Sequence, residues 1–453
     1  MGAWEVLEES SQVAAVHAAL MPNGEVVMYS GNTGQDIPAA TRIWNPATRE
    51  VRQPPTDPET DVFCSGLTPL WDGRLLVVGG TKLYPTDTNP FIGSKAAYLL
   101  DPQAGWTRLA DMVFGRWYPS AIMLADGRVL VLSGASDDGG ITPRVEIYDP
   151  LGGWELLPES ADRLLPLYPR LHVLSSGEVA CLGNGSDLTF FNPDTQEWRD
   201  LGAAGAIPHT DDDLAVLLAP AQAGKILHAG GAAGAADGDP GTASAQIIDL
   251  TVADPAWRDL PPMANPRWFL NSALLPDGTL FVVGGGRVHG QDPVMDPEIF
   301  DPLTETWTAD APMTVPRLYH STALLLPDGR VWVAGTDGET RMEVYSPDYL
   351  SRGPRPVITD SPASVTYGQG FPIHLLEPGD VSSVAFIRLS AVTHCFNMGQ
   401  RFVALDFATG DPDGFQITAP ADANLAPPGH YMLFVLDGNG VPAVAPIVQL
   451  VAV

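Results

Sequence analysis

The chain has 453 residues, a 45% hydrophobic share and a net charge of −30, so it can bury at least one large core and repels phosphate backbones and anionic lipid. Its 46 glycines and 43 prolines, with no long periodic helical segment, favour many short strands joined by tight turns. Three cysteines, Cys64, Cys181 and Cys395, with no CxxC or CxxH spacing, argue against a disulfide framework and a zinc site.

The N-terminus, MGAWEVLEES, has neither a basic n-region nor an apolar h-region, and no run approaches the ~18 apolar residues of a membrane span. A soluble chain with no leader is expected. Within that stretch, AWEVLEES at residues 3–10 reads as a lone strand. Seven segments then share one pattern of strand, tight turn, strand and glycine: HAALMPNGEVVMYSG, CSGLTPLWDGRLLVVGG, YPSAIMLADGRVLVLSG, YPRLHVLSSGEVACLG, LAVLLAPAQAGKILHAGG, FLNSALLPDGTLFVVGG and HSTALLLPDGRVWVAG. Most continue into a third apolar stretch and a fourth beginning in tryptophan, as in EIYDPLGGWELLPES and EIFDPLTETWTADAPM. Four strands per unit at a period near fifty residues predict a seven-bladed β-propeller, of which an isolated Asp-Gly hairpin would be the plainer reading for any one copy. The seventh unit ends in EVYSPDYLSRGP without its tryptophan strand. Residues 3–10 supply a spare, so the N-terminal strand is expected to close blade seven and cover an otherwise exposed edge. The propeller is placed at 1–353. The repeat stops near Arg355, and six or seven short strands over 354–453 predict an immunoglobulin-like β-sandwich; the whole chain is all-β.

Propellers place function at one mouth of the axial channel, where equivalent positions of different blades meet. Counting back nine residues from the turn glycine reaches Cys64, Tyr118, Tyr168, Phe269 and His320, with Tyr319 just before the last. Taken singly, Tyr168 and Phe269 read as channel packing and Cys64 as a small buried hydrophobe. The coincidence of Cys, Tyr, Tyr and His at one rim points instead to a reactive site. Two further stretches draw attention: HTDDD at 209–213, read as an acidic loop that could meet a polar substrate or a cation, and GGAAGAADGDPG at 230–241, a Gly-rich loop lacking the GxGxxG pattern of nucleotide sites.

The segments DVFCSG, GRWYPS, RLYHSTALLLPDGRV and SAVTHCFNMGQR resemble, in order and spacing, those of the galactose oxidase and glyoxal oxidase group of copper radical oxidases, and the resemblance covers nearly the whole chain. It implies a kelch-type propeller with a C-terminal immunoglobulin-like domain. It also implies copper bound by Tyr118, Tyr319, His320 and His394, and a Cys64–Tyr118 thioether holding a tyrosyl radical. His394 would arrive on a loop of the C-terminal domain; without the family it reads as a polar hairpin tip. Adjacent strand residues face opposite ways, so Tyr319 and His320 could share one metal only at an irregular strand entry. The chain has no room for the N-terminal carbohydrate-binding module of galactose oxidase. The loop SGASDDGGITP lacks the tryptophan that stacks on the radical there, and Cys395 beside His394 departs from the pattern.

The implied activity is two-electron oxidation of a small aldehyde hydrate or primary alcohol, with Tyr319 as general base and dioxygen leaving as hydrogen peroxide. The implied partners are that small substrate and dioxygen, with no nucleic acid and no membrane insertion, acting on a monomer; family members are mostly exported. The rival is a noncatalytic kelch propeller that binds a glycan or a protein partner.

Overall fold

The computed structural model describes the chain except for residues 33–39, 88, 183–187, 203–212, 233–237, 378, 411–413 and 452–453. Among the described residues there is no α-helix, only three short 3-10 turns between strands. Seven sheets follow one another around an axis, each an antiparallel meander. Blade three shows the plan: Ser120–Met123, Val129–Leu132, Glu146–Asp149 and Gly153–Leu156, paired in sequence order.

The sequence dictates this meander at its turns. In blades two, three, six and seven the Asp-Gly pair puts glycine in the left-handed region, at Gly73, Gly127, Gly278 and Gly329. The preceding aspartate accepts the N–H two residues on, which fixes register. Fourth-strand tryptophans then join blades: the Trp154, Trp198 and Trp307 indoles donate to the carbonyls of Ala110, Ala161 and Pro261 in the preceding blade. Trp4 makes the same contact with Ala311 O, at 2.7 Å. Its strand, Ala3–Ser10, pairs antiparallel with Arg341–Ser346, so the first residues of the chain form the outer strand of the last blade.

A second repeat lies inside the blades. Arg116–Glu146, Arg267–Glu298 and Arg317–Glu343 are ion pairs buried almost completely in blades three, six and seven. Each arginine also donates to the backbone carbonyl at the end of its blade's second strand, Ser133, Gly284 or Gly335. Burial at this depth demands such full pairing. The signal was present in the sequence as an arginine ahead of the first strand and a glutamate opening EIYD, EIFD and EVYS.

The C-terminal part is a two-sheet sandwich. One sheet runs Ile358–Asp360, Gly370–Leu375, Gly414–Thr418, Phe407–Thr409. The other runs Ser364–Thr366, Ile447–Val451, Gly429–Asp437, Val381–Arg388, Phe402–Ala404. Among the described residues that is nine strands where six or seven were expected; the extra ones are three-residue edges too short to carry an alternating pattern. Phe371, Ile373, Phe386, Tyr431 and Leu433 are among the buried side chains of its core.

Candidate metal centre

Blade entrances build the site. Cys64, Tyr118, Tyr168, Phe269 and His320, the five positions reached by counting back from the turn glycine, all have left-handed backbones, with φ of 63°, 64°, 45°, 52° and 62°. That conformation is uncommon for such residues. It breaks the strand just outside the first paired residue and turns each side chain toward the axis. Neighbouring entrances are tied through the backbone: Tyr118 N–H donates to Cys64 O at 3.0 Å, and Tyr168 N–H to Tyr118 O at 2.9 Å. Five residues at one repeat position thus share a conformation that costs about 1–3 kcal/mol each and that the surrounding blades over-determine.

Blade seven is offset by one residue. Arg317 precedes its left-handed residue, His320, by three positions, whereas Arg116 precedes Tyr118 and Arg267 precedes Phe269 by two. The extra residue places Tyr319 and His320 together at the strand entry, rings stacked at 3.8 Å, and paired strand begins only at Ser321. Gly335 permits the close passage, since a Cβ there would lie 2.4 Å from His320 O.

The C-terminal part supplies the remaining imidazole at the tip of a tight hairpin, whose leading strand is anchored to the propeller. Ala391–Thr393 pairs with Ala19, Ala18 and His17, adding a fifth strand to blade one at its axial edge. Thr393 and Phe396 exchange hydrogen bonds, Thr393 N–H to Phe396 O and Phe396 N–H to Thr393 O, around His394 at φ 48° and Cys395 at φ 71°. This is the backbone of a two-residue hairpin turn that normally takes Asn-Gly. The Cys395 Sγ donates to Phe269 O at 2.9 Å and sits with Phe269 in the small buried cluster that Tyr319 packs against. Gln400 and Arg401 pin the segment further: the Gln400 side chain bonds Leu274 N–H and Ser272 Oγ of blade six, and the Arg401 guanidinium donates to Val173 O of blade four.

The expected residues therefore meet. The hydroxyls of Tyr118 and Tyr319 touch, and the His394 ring lies 4.6 Å from Tyr118, 4.7 Å from His320 and 5.5 Å from Tyr319, centroid to centroid. Cys64 Sγ is 3.4 Å from His394 Nε2, within the small buried cluster that Tyr118 and Trp117 pack against. Tyr118 has Trp117 at 4.0 Å and Tyr168 at 4.3 Å, both tilted against it, and Phe91 stacks on Trp117 at 4.0 Å. Phe269 covers Tyr319 at 4.2 Å. Tyr168 and Phe269 are channel packing, as read from sequence, but what they pack against is the two convergent phenols. Trp117 was passed over, although it stands next to Tyr118 in GRWYPS.

Among the described residues no three His, Cys, Asp or Glu side chains gather as metal ligands; the donors here are two imidazoles and two phenols. They fit copper. His320 gives its Nδ1–H to Asp337 Oδ1 at 2.6 Å, leaving a buried Nε2 with no partner. His394 Nδ1 is engaged by Thr393 Oγ1 at 2.6 Å, so its Nε2 faces inward. Burial holds the His394 imidazole well below its usual pKa, hence neutral, which is the form that ligates. Tyr319 keeps a solvent-facing edge, yet desolvation pushes its hydroxyl well above the usual value; burial does the same to the Cys64 thiol. Imidazole with phenolate is a donor set suited to Cu(II).

HTDDD falls outside the described residues except for Asp213, which is buried between Arg170 and His228, each 2.8 Å from its carboxylate. That residue is a structural ion-pair partner, not a rim group. The middle of the Gly-rich loop, 233–237, also lies outside them. No described helix is long and apolar enough to cross a membrane.

Comparison with known proteins agrees with this architecture. The family model of the galactose oxidase-like Early set domain matches residues 355–450, and that of the kelch motif matches 270–314. Aldehyde oxidase GLOX of Vitis pseudoreticulata is 29% identical over 99% of this chain and 97% of its own length. Galactose oxidase of Gibberella zeae is 28% identical over 99% of this chain and 71% of its own. A fungal alcohol oxidase solved in complex with copper superposes with a TM-score of 0.86 at 27% identity, covering 99% of both chains.

Proposed function

We propose that this chain, related along its whole length to the galactose oxidase and glyoxal oxidase group of copper radical oxidases, oxidises a small aldehyde hydrate or primary alcohol by two electrons and passes them to dioxygen, giving hydrogen peroxide. The observation that carries this reading is the meeting of the Tyr118 and Tyr319 hydroxyls beside His320 and His394, with Cys64 in the buried cluster that Tyr118 packs against. Tyr118, Tyr319, His320 and His394 would hold copper, which when bound supplies a Lewis acid and a one-electron acceptor.

The chain's own groups account for the rest. Burial alone keeps Tyr319 protonated; as a ligand of bound copper it would lose that proton, leaving a phenolate oxygen that takes the substrate hydroxyl proton. Tyr118, joined through carbon to Cys64 sulfur and oxidised by one further electron at the expense of dioxygen, would be the hydrogen acceptor. Forming that thioether removes the thiol hydrogen and a ring hydrogen, both passing to dioxygen. Trp117 and Tyr168, packed against Tyr118, shield its ring from water. Cys64, Tyr118 and Tyr319 are thus the catalytic residues. Glyoxal-type aldehydes and small primary alcohols are the substrate classes to try. The test is peroxide release from copper-loaded protein across a panel of both; no peroxide from any member would reject the reading.

A further inference from the structure

The turn Thr336–Glu339, between the second and third strands of blade seven, holds the site in a way its counterparts do not. In blades three and six the residue after the anchoring arginine is tied backbone to backbone: Trp117 N–H to Ala135 O at 2.9 Å and Trp268 N–H to Gly286 O at 2.8 Å. In blade seven Leu318 N–H goes instead to a side chain, Thr336 Oγ1, at 2.7 Å. Thr336 N–H then donates to His320 O at 3.0 Å, and Asp337 Oδ1 accepts His320 Nδ1–H at 2.6 Å. Two consecutive residues therefore grip the irregular segment on both sides of Tyr319. Thr336 is itself strained for this, at φ 91°, and Glu339 N–H to Thr336 O closes the turn.

We propose that Asp337 is a positioning residue for the metal centre: it fixes the His320 tautomer and ring angle, so that the Nε2 lone pair faces the meeting point of Tyr118 and Tyr319. An imidazole at a strand entry can rotate and can carry its proton on either nitrogen. A carboxylate on Nδ1 removes both freedoms and makes Nε2 a better donor. The unpartnered, buried Nε2 of His320 is what such an arrangement leaves for a metal. Asp337 remains 46% exposed by side chain, so its charge is solvated and the contact carries little burial penalty. The same offset that brings Tyr319 and His320 together lets this turn reach them, so Asp337 and the extra residue of blade seven act as one device.

This inference rests on the copper reading, and the experiment separates the two. Copper(II) affinity is measured by competition with a chelator, with the paramagnetic resonance spectrum recorded alongside, for wild type, Asp337→Ala and Asp337→Asn. Asp337→Ala should bind about 10- to 100-fold more weakly, with altered nitrogen couplings. Asp337→Asn keeps an oxygen acceptor for Nδ1–H and should recover most of the loss. Thermal unfolding of both variants should match wild type, since the side chain lies outside the core. Wild-type copper binding with an Asp337→Ala affinity within about twofold of it and an unchanged spectrum would overturn the positioning role alone. Failure of wild type to bind copper would overturn both.

Discussion

Tyr319 and His320 are consecutive residues whose rings stack at 3.8 Å, 26° from parallel. On a regular strand they would point to opposite faces. The extra residue between Arg317 and His320, compared with the Arg116–Tyr118 and Arg267–Phe269 spacings, is what lets both reach the axis while the buried guanidinium keeps its place in the repeat. Deleting Leu318 should restore the ordinary spacing. His320, tied to the strand that starts at Ser321, would hold its position, and Tyr319 would move to where Trp117 and Trp268 sit in their blades. The variant should fold with nearly the wild-type thermal transition and bind copper no better than Tyr319→Phe. Wild-type copper affinity in the deletion would show that the offset is incidental.

Ring closure rests on Trp4. Its indole bonds Ala311 O and its ring packs on Tyr345 at 5.1 Å and Phe281 at 6.2 Å. Trp4→Ala should cost about 3 kcal/mol, the lower end for buried aromatics because one edge stays exposed. Chemical denaturation reads this directly. Loss of residues 1–8 with no change in midpoint would show that blade seven is stable without its outer strand.

The Cys64–Tyr118 thioether has a mass signature. Aerobic copper loading should lower the intact mass by the two hydrogens lost on bond formation, and Cys64→Ala should show no change. Cys181 and Cys395, both buried, serve as controls in thiol counting on the unfolded protein. Three free thiols after loading would remove the cross-link from the mechanism.

How much of this was legible in sequence follows from which signals repeat. The Asp-Gly turns, the tryptophan strands and the entrance position nine residues before the glycine recur, so the propeller and five rim residues could be read by alignment of the chain with itself. Cys64, Tyr118, Tyr319 and His320 fall out of that alignment; His394 does not, and only the family resemblance pointed to it. Its strand is three residues long and pairs with His17–Ala19 far earlier in the chain, a contact that no local periodicity encodes. Trp117 and Asp337 were missed for a related reason. Each acts through a ring or hydrogen bond whose geometry depends on the left-handed entrance residue, and side-chain direction there cannot be inferred from strand alternation.

Two buried histidines predict acid lability. Burial lowers His17 and His172 from 6.5 to about 3, with His320 adding to the effect at His17 and Arg401 at His172. Both are neutral in the folded state and take up protons only on unfolding. Their contribution is full above pH 6.5 and is lost as pH falls toward 3. Each should remove about 2 kcal/mol of stability between pH 7 and pH 5. Denaturation at the two pH values should show a smaller drop in His172→Leu than in wild type, by about that amount. An equal drop would mean that His172 is already protonated, or solvated, in the folded protein.

The C-terminal sandwich enters the chemistry through a single side chain. His394 stands on a strained two-residue turn whose flanking strand completes blade one and whose next residue, Cys395, is anchored to Phe269 O of blade six. A left-handed backbone at two non-glycine residues costs about 1–3 kcal/mol each. That cost persists only because the strand pairing and the Gln400 and Arg401 contacts over-determine the turn. His394→Ala should therefore lose copper affinity and peroxide production without losing stability, since the strain belongs to the backbone and not to the imidazole. His394→Gly should go further and stabilise the fold slightly, because glycine adopts the left-handed region freely. Tyr319→Phe should bind copper more weakly, having lost one of the four donors, and lose turnover as well, because the proton acceptor goes with it. Undiminished peroxide production in His394→Ala at saturating copper would show that this hairpin serves to close the channel and leaves the reaction to the propeller alone.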